Sequence, residues 1–284
     1  TNQIKKAYLL FNQLYEENIN IDVITFGSML SACAHTGNGE LALEILRTMK
    51  QYPKLYPNSI IYTSAIIALV KSQKYDIALD MFLQIQTKKK SRHLVVDQGL
   101  YEAVLGACVG LKQESVAIQI YGQMREKDMK PGKSGVRFLV QCLSPESRYL
   151  QYDLVRDVYS QAVELGVLPQ YQQSILNLTS IKSDIQLCSA AIWYMLYISL
   201  LEQKQDKKLS DILIIVGNNS ELLLKTLCYE INEYEPKYCL KTRIVKENSN
   251  VFIITRSSLK AWIKSNSSFN NIEITAEEVE NKYL

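Results

Sequence analysis

The chain has 284 residues, 47% of them hydrophobic and 21% charged, and its 32 Lys and Arg against 29 Asp and Glu leave a net charge of +3. That apolar content can offset chain entropy in a packed core, which excludes disorder for most of the length. The mild positive charge permits an RNA partner without by itself arguing for one.

No uncharged apolar run reaches the roughly 18 residues of a membrane span; the best, 190–201, is too short, so none is expected. The six cysteines, Cys33, Cys108, Cys142, Cys188, Cys228 and Cys239, form no Cys-x-x-Cys pair. Only His35 and His93 accompany them. No metal site or cofactor is expected from that set, and the thiols read as buried and reduced.

In chain order, the sequence opens directly in a helical pattern, Ala7, Leu10, Phe11 and Leu14. No secretory or transit signature stands ahead of it, so it reads as a chain already under way. The pattern then returns. Ala7, Phe11 and Leu14 recur as Ala42, Leu46 and Met49, as Ala78, Phe82 and Ile85, and as Ala117, Tyr121 and Met124. The alanines stand 35, 36 and 39 residues apart. A second set, Phe26, Tyr62 and Tyr101, moves with them, and Cys33, Leu69 and Cys108 keep the same offset. Each unit predicts two amphipathic helices: 23–34 with 39–51, 60–71 with 75–87, and 99–110 with 113–127. Small alanines let paired helices approach, and the larger residues three and four positions on fill the seam. One such pair cannot cover its own apolar face, so the pairs must stack. Tyr75, Tyr101, Tyr121 and Tyr159 fall at seam positions and read as core.

These units resemble pentatricopeptide repeats. The stretch VITFGSMLSACAHTGNGELALEILRTMKQYPKLYPN (23–58) is similar to the family consensus, and QGLYEAVLGACVGLKQESVAIQIYGQMREKDMKPG (98–132) has its length. The resemblance implies an α-helical repeat solenoid of about four helix pairs over 1–172. Its units are a partial one at 1–22, then 23–58, 59–97 and 98–132, and a weaker one at 133–170. The family takes single-stranded RNA, about one base per repeat. It reads each base through the fifth and last residues of a unit, here Gly27 with Asn58, Thr63 with Asp97, and Glu102 with Gly132. Thr63 with Asp97 is similar to a family pairing that favours guanine. The flanking positions are Ile24, Ile60 and Gly99. Gly27, Gly99 and Gly132 offer no side chain, and Glu102 would repel phosphate, so the reading face looks degraded. Lys88, Lys89 and Lys90 form a basic run, readable as a solvated loop or as a phosphate contact.

Beyond about residue 178 the pattern changes. Strands are expected at 181–187, 211–216, 240–245 and 251–255, and helices at 189–201, 220–233 and 257–264. Ser189 is placed as a helix N-cap, and Asn248-Ser249-Asn250 as a turn. This βαβαββ order predicts a small α/β domain. Over 178–266 it resembles the Small MutS-related domain, through Asp184-Ile185-Gln186, the run ILIIVGNN, and ENSNVFIITRSSLKAWI. Nuclease members of that family carry Asp and His in the first motif. Here Gln186 stands at the His position, and an amide cannot act as general acid or base. Asn219 stands where the family has a second glycine. Asp184 is thus a vestigial catalytic candidate, or a cap for the helix after it. Residues 267–284 form a polar tail.

The resemblances imply a non-catalytic RNA-binding or scaffold subunit of an organellar RNA-handling assembly, such as an RNA polymerase or ribosome, in plastid or mitochondrion. The alternatives are a sequence-specific single-stranded RNA-binding factor and, disfavoured by Gln186, an RNA endonuclease.

Overall fold

The computed structural model describes residues 2–17, 21–52, 54–87, 95–143, 153–204, 209–217, 242–245 and 248–265. The chain divides into two compact units, Thr1–Cys142 and Leu143–Leu284.

The first unit is helical throughout its described elements. The helices are α1 (Asn2–Glu16), α2 (Val23–Thr36), α3 (Gly39–Met49), α4 (Ser59–Lys71), α5 (Tyr75–Thr87), α6 (Gln98–Leu111), α7 (Glu114–Glu126) and α8 (Lys133–Cys142). The even-numbered helices pack side by side, α2 on α4, α4 on α6 and α6 on α8, and form one layer. The odd-numbered helices pack into the clefts behind them. The expected pairs agree with these bounds to within two residues.

The recurring positions build the seam. Phe26, Leu30 and Cys33 of α2 share one face at helical spacing and are fully buried. Ala42, Ile45, Leu46 and Met49 answer from α3, and Phe11 meets Phe26 edge-to-face at 5.3 Å. Tyr101 of α6 meets Phe82 of α5 at 5.7 Å in the same way. Each such buried aliphatic or aromatic side chain contributes roughly 1.5–3 kcal/mol through removal from water. The phenol of Tyr101 stays satisfied: Lys127 Nζ donates to it at 2.8 Å, and it donates to Gln123 Oε1 at 3.4 Å. Gln86 Nε2 also donates to Gln123 Oε1, at 2.7 Å, tying α5 to α7. Tyr121 is buried, and the ring of Tyr75 lies against Gly110, where an added Cβ would come within 2.5 Å of it. Burial pushes the Cys33 and Cys108 thiols up to about 11 and that of Cys142 up to about 12, so all three are protonated at neutral pH.

The second unit holds α9 (Asp153–Glu164), β1 (Tyr171–Gln172), β2 (Ile175–Asn177), α10 (Ile185–Lys204), β3 (Ile212–Ile215), β4 (Thr242–Val245), β5 (Asn248–Ile254) and α11 (Arg256–Ser265). The sheet order is β1-β2-β3-β5-β4. Among the described strands only the β2–β3 pair is parallel, with Ile175 opposite Leu213, and α10 supplies the crossover that a parallel pair needs. β5 lies between β3 and β4 and is antiparallel to both. Ile212 and Ile214 are buried while Leu213 between them is exposed, the alternation of a half-buried strand.

Four expectations for this half are corrected. Residues 181–184 are a turn, and the first strand of the parallel pair is β2, several residues earlier. α10 begins at Ile185, so Ser189 lies buried inside it, and Asp184 caps it by accepting from the Leu187 amide at 3.2 Å. Asn248-Ser249-Asn250 belong to β5, with Asn248 opposite Val245. Finally, α10 is longer than the run 190–201 suggested and, by length and composition alone, could span a bilayer; 65% of it is buried inside the protein. Its apolar residues go into the core, with Trp193 against Trp262 of α11 at 6.3 Å. The expected helix 220–233 and the loop residues Asn218 and Asn219 lie outside the described residues, as do Cys228, Cys239 and the tail 267–284.

Candidate nucleic-acid interface

In the units 59–97 and 98–132 the fifth and last residues come together at the N-terminal ends of the even-numbered helices. The reason is local. Three of these helices, α2, α4 and α6, start from a side-chain cap, because a helix's first amides have no partner within it. Asp22 Oδ1 accepts from the Thr25 amide at 2.8 Å and also from its hydroxyl. Asn58 Oδ1 accepts from Ile61 N at 3.0 Å, and Asp97 Oδ1 from Leu100 N at 2.9 Å. The last position of a unit is therefore the N-cap of the next even-numbered helix. The fifth residue of the unit sits one turn into its own helix, within reach of that cap. We call each such meeting point a step.

The three steps differ. At the first, an added Cβ on Gly27 would touch nothing within 4 Å, so the space at Gly27 is open. At the second, Thr63 and Asp97 come together around Gly99. An added Cβ there would lie 3.6 Å from Asp97 Oδ1 and 3.9 Å from Thr63 Cγ2. Asp97 also accepts from Ser59 Oγ at 2.5 Å, so both carboxylate oxygens are engaged by the protein. Thr63 Oγ1 is buried and has no hydrogen-bond partner among the described residues. At the third step, Glu102 Oε1 accepts from the Gly132 amide at 2.7 Å and from Gln98 Nε2 at 2.8 Å. The carboxylate fills the room that the missing Gly132 side chain leaves.

Beside the first two steps stand apolar side chains that packing does not explain. Ile24 is 75% exposed and Ile60 65%, each at the second position of its helix. Tyr56 and Val95, each two residues ahead of a cap, are also exposed. At the third step Gly99 takes the place of the isoleucine. Lys88, Lys89 and Lys90 lie outside the described residues. In the second unit Asp184 is engaged as the cap of α10, and Gln186 is exposed on its first turn. No group of three His, Cys, Asp or Glu able to hold a metal ion occurs among the described residues.

Sequence reasoning missed three of these residues. Asp22 is the cap one repeat ahead of Asn58, and its register, 36 residues upstream, could have shown it. Ser59 and Gln98 hold Asp97 and Glu102, and nothing in the repeat pattern distinguishes them.

The profile of the pentatricopeptide repeat domain matches residues 9–72, and a single-repeat profile matches 60–89. The chain carries pentatricopeptide repeats. The mitochondrial 15S rRNA processing factor CCM1 of Yarrowia lipolytica is 24% identical over 165 residues, 57% of this chain and 21% of that protein. A mitochondrial pentatricopeptide repeat-containing protein of Arabidopsis thaliana is 31% identical over 104 residues, 37% of this chain and 11% of that one. The chain thus spans about a fifth or less of these two relatives. The pentatricopeptide-repeat domain of Arabidopsis thaliana protein-only RNase P 1, solved in complex with tRNA, superposes with a TM-score of 0.50 at 15% identity. It covers 68% of this chain and 91% of that domain. The likeness establishes a pentatricopeptide-repeat fold.

Proposed function

We propose that this chain is the RNA-binding and scaffolding part of a mitochondrial RNA-handling protein, without catalytic activity of its own. Pentatricopeptide repeats bind single-stranded RNA, and the rRNA processing role and mitochondrial names of the relatives favour that setting. Those names give a plastid setting no support. The observation that carries the reading is an exposed isoleucine at the second position of each of two helices, Ile24 in α2 and Ile60 in α4, on the same helices as Gly27 and Thr63, with Thr63 close to the cap Asp97. An exposed aliphatic side chain gives a base a dry contact, and the cap residues offer its edge hydrogen-bond partners. Residues 178–266 of the second unit are, in this reading, a degenerate Small MutS-related domain. Its support is the order β2-α10-β3 followed by β4, β5 and α11. Gln186 cannot move a proton near neutral pH, and Asp184 serves as a cap, so phosphodiester cleavage is disfavoured.

Thr63→Val tests base reading cleanly. The Thr63 hydroxyl has no hydrogen-bond partner to lose among the described residues. The substitution removes a buried hydroxyl without a partner, so stability is expected to hold or to rise slightly. If the hydroxyl reads a base, selection from a random single-stranded RNA pool loses its guanine preference, with a loss of about 1–3 kcal/mol for the preferred RNA. Equal selection by both proteins would reject reading at this step. Absence of RNA binding at moderate salt would leave a protein scaffold as the function.

A further inference from the structure

We infer that Glu102 closes the third step to RNA and so sets where base reading ends along this face. The inference rests on the RNA-binding reading above. At the first two steps the fifth residue is neutral, Gly27 or Thr63, and the Asp97 carboxylate has both oxygens engaged by hydrogen-bond donors. At the third step the polarity is reversed: the carboxylate comes from the fifth position and the last position is glycine. Glu102 Oε1 takes two donors, from the main chain ahead of α8 and from Gln98. Oε2 accepts no hydrogen bond among the described residues and carries its share of the charge without a donor.

The seat for this side chain is built by two glycines. An added Cβ at Gly132 would come within 3.2 Å of Oε1, and one at Gly135 within 2.8 Å of Glu102 Cγ. Larger residues at either position would displace the carboxylate. The flanking position carries Gly99, so no apolar side chain replaces Ile24 and Ile60 as a contact for a base. An anionic strand laid along the even-numbered helices therefore meets, at this one step, no platform, no neutral partner and a fixed negative charge.

Glu102→Gln in the full chain tests this. The amide keeps an oxygen to accept from Gly132 and removes only the charge; Glu102→Thr repeats the measurement with a short neutral side chain. The probe is the RNA enriched by the wild-type chain from a random pool, extended at both ends by random nucleotides. Wild type is expected to protect nucleotides up to, and not across, the third step. Both variants are expected to protect one nucleotide more and to bind roughly three- to tenfold tighter at low salt, with a steeper salt dependence. An unchanged footprint and affinity in variants that melt like wild type would overturn the role of Glu102 while leaving RNA binding intact. Failure of wild type and variants alike to bind RNA would overturn the RNA-binding reading and this inference with it.

Discussion

In the first unit, neighbouring helices touch at sequence separations near one repeat, as when the Lys71 ammonium at the end of α4 donates to the Ala34 carbonyl of α2 at 2.7 Å. In the second, β2 pairs with β3 across the whole of α10, and Ile212 of β3 pairs with Ile254 of β5. The repeat half is thus a series of nearest-neighbour interfaces, in which each pair leans on the next. The sheet half is a set of long-range pairings, each of which needs the others in register before it contributes. Damage should stay local in one and spread in the other.

The sharpest break in that comparison comes from matched aromatic deletions. Phe252→Ala, on the fully buried face of β5, is expected to cost about 3–5 kcal/mol and to open the whole second unit. Phe26→Ala, equally buried, should cost a similar amount, yet raise amide hydrogen exchange mainly in α1 to α4. Exchange rising equally in α6 to α8 would refute the nearest-neighbour picture.

A smaller effect is expected from Gly110→Ala, because its new Cβ would come within 2.5 Å of the Tyr75 ring. Roughly 1–3 kcal/mol should be lost as the α5–α6 contact is forced apart, read as a lower urea midpoint. The cap series comes next. Asp97→Ala is expected to cost about 1–2 kcal/mol, and Asp97→Asn far less, since an amide oxygen can still accept from the Leu100 amide. Asp97→Ala therefore changes stability and RNA binding together, which is why Thr63→Val is the cleaner probe.

The smallest effect is a pH dependence. Hydrogen bonds from the Thr25 amide and hydroxyl hold the Asp22 carboxyl below its ordinary value of 3.8. The hydrogen bond and charge of Lys74 hold Glu40 below 4.5. In both cases the unfolded chain binds the proton first as pH falls, so the stabilisation is present above those ordinary values and is lost below them. Urea midpoints of the first unit should drop between about pH 5 and pH 3. Asp22→Asn should flatten part of that slope, and an equal slope in wild type and variant would rule out this source.

The repeat half was legible because its contacts repeat. Ala42, Ala78 and Ala117 mark the tight approach in each odd-numbered helix, and all three are buried as their spacing requires. The sheet half was legible only in outline. β2 is three residues, Ile175, Leu176 and Asn177, too few to stand out from the turn at 181–184, and Ser189 and Asp184 both offered a cap until the structure gave that role to Asp184. The site lies between these extremes. The repeat register located Asn58, Thr63, Asp97, Glu102 and Gly132, but not what each touches.

By itself, then, the sequence determined the helix pairs and their bounds, because helical period and repeat length are local, additive properties of the chain, while the positions paired at each step are what the family resemblance implied. The tertiary structure alone decided how those positions are used. It engaged both oxygens of Asp97, left the Thr63 hydroxyl without a partner and held Glu102 against the Gly132 amide. Hydrogen-bond partners come from neighbouring helices, about 30 to 38 residues away for Gly132 and Ser59, and no local pattern encodes which donor reaches which acceptor once the helices have packed.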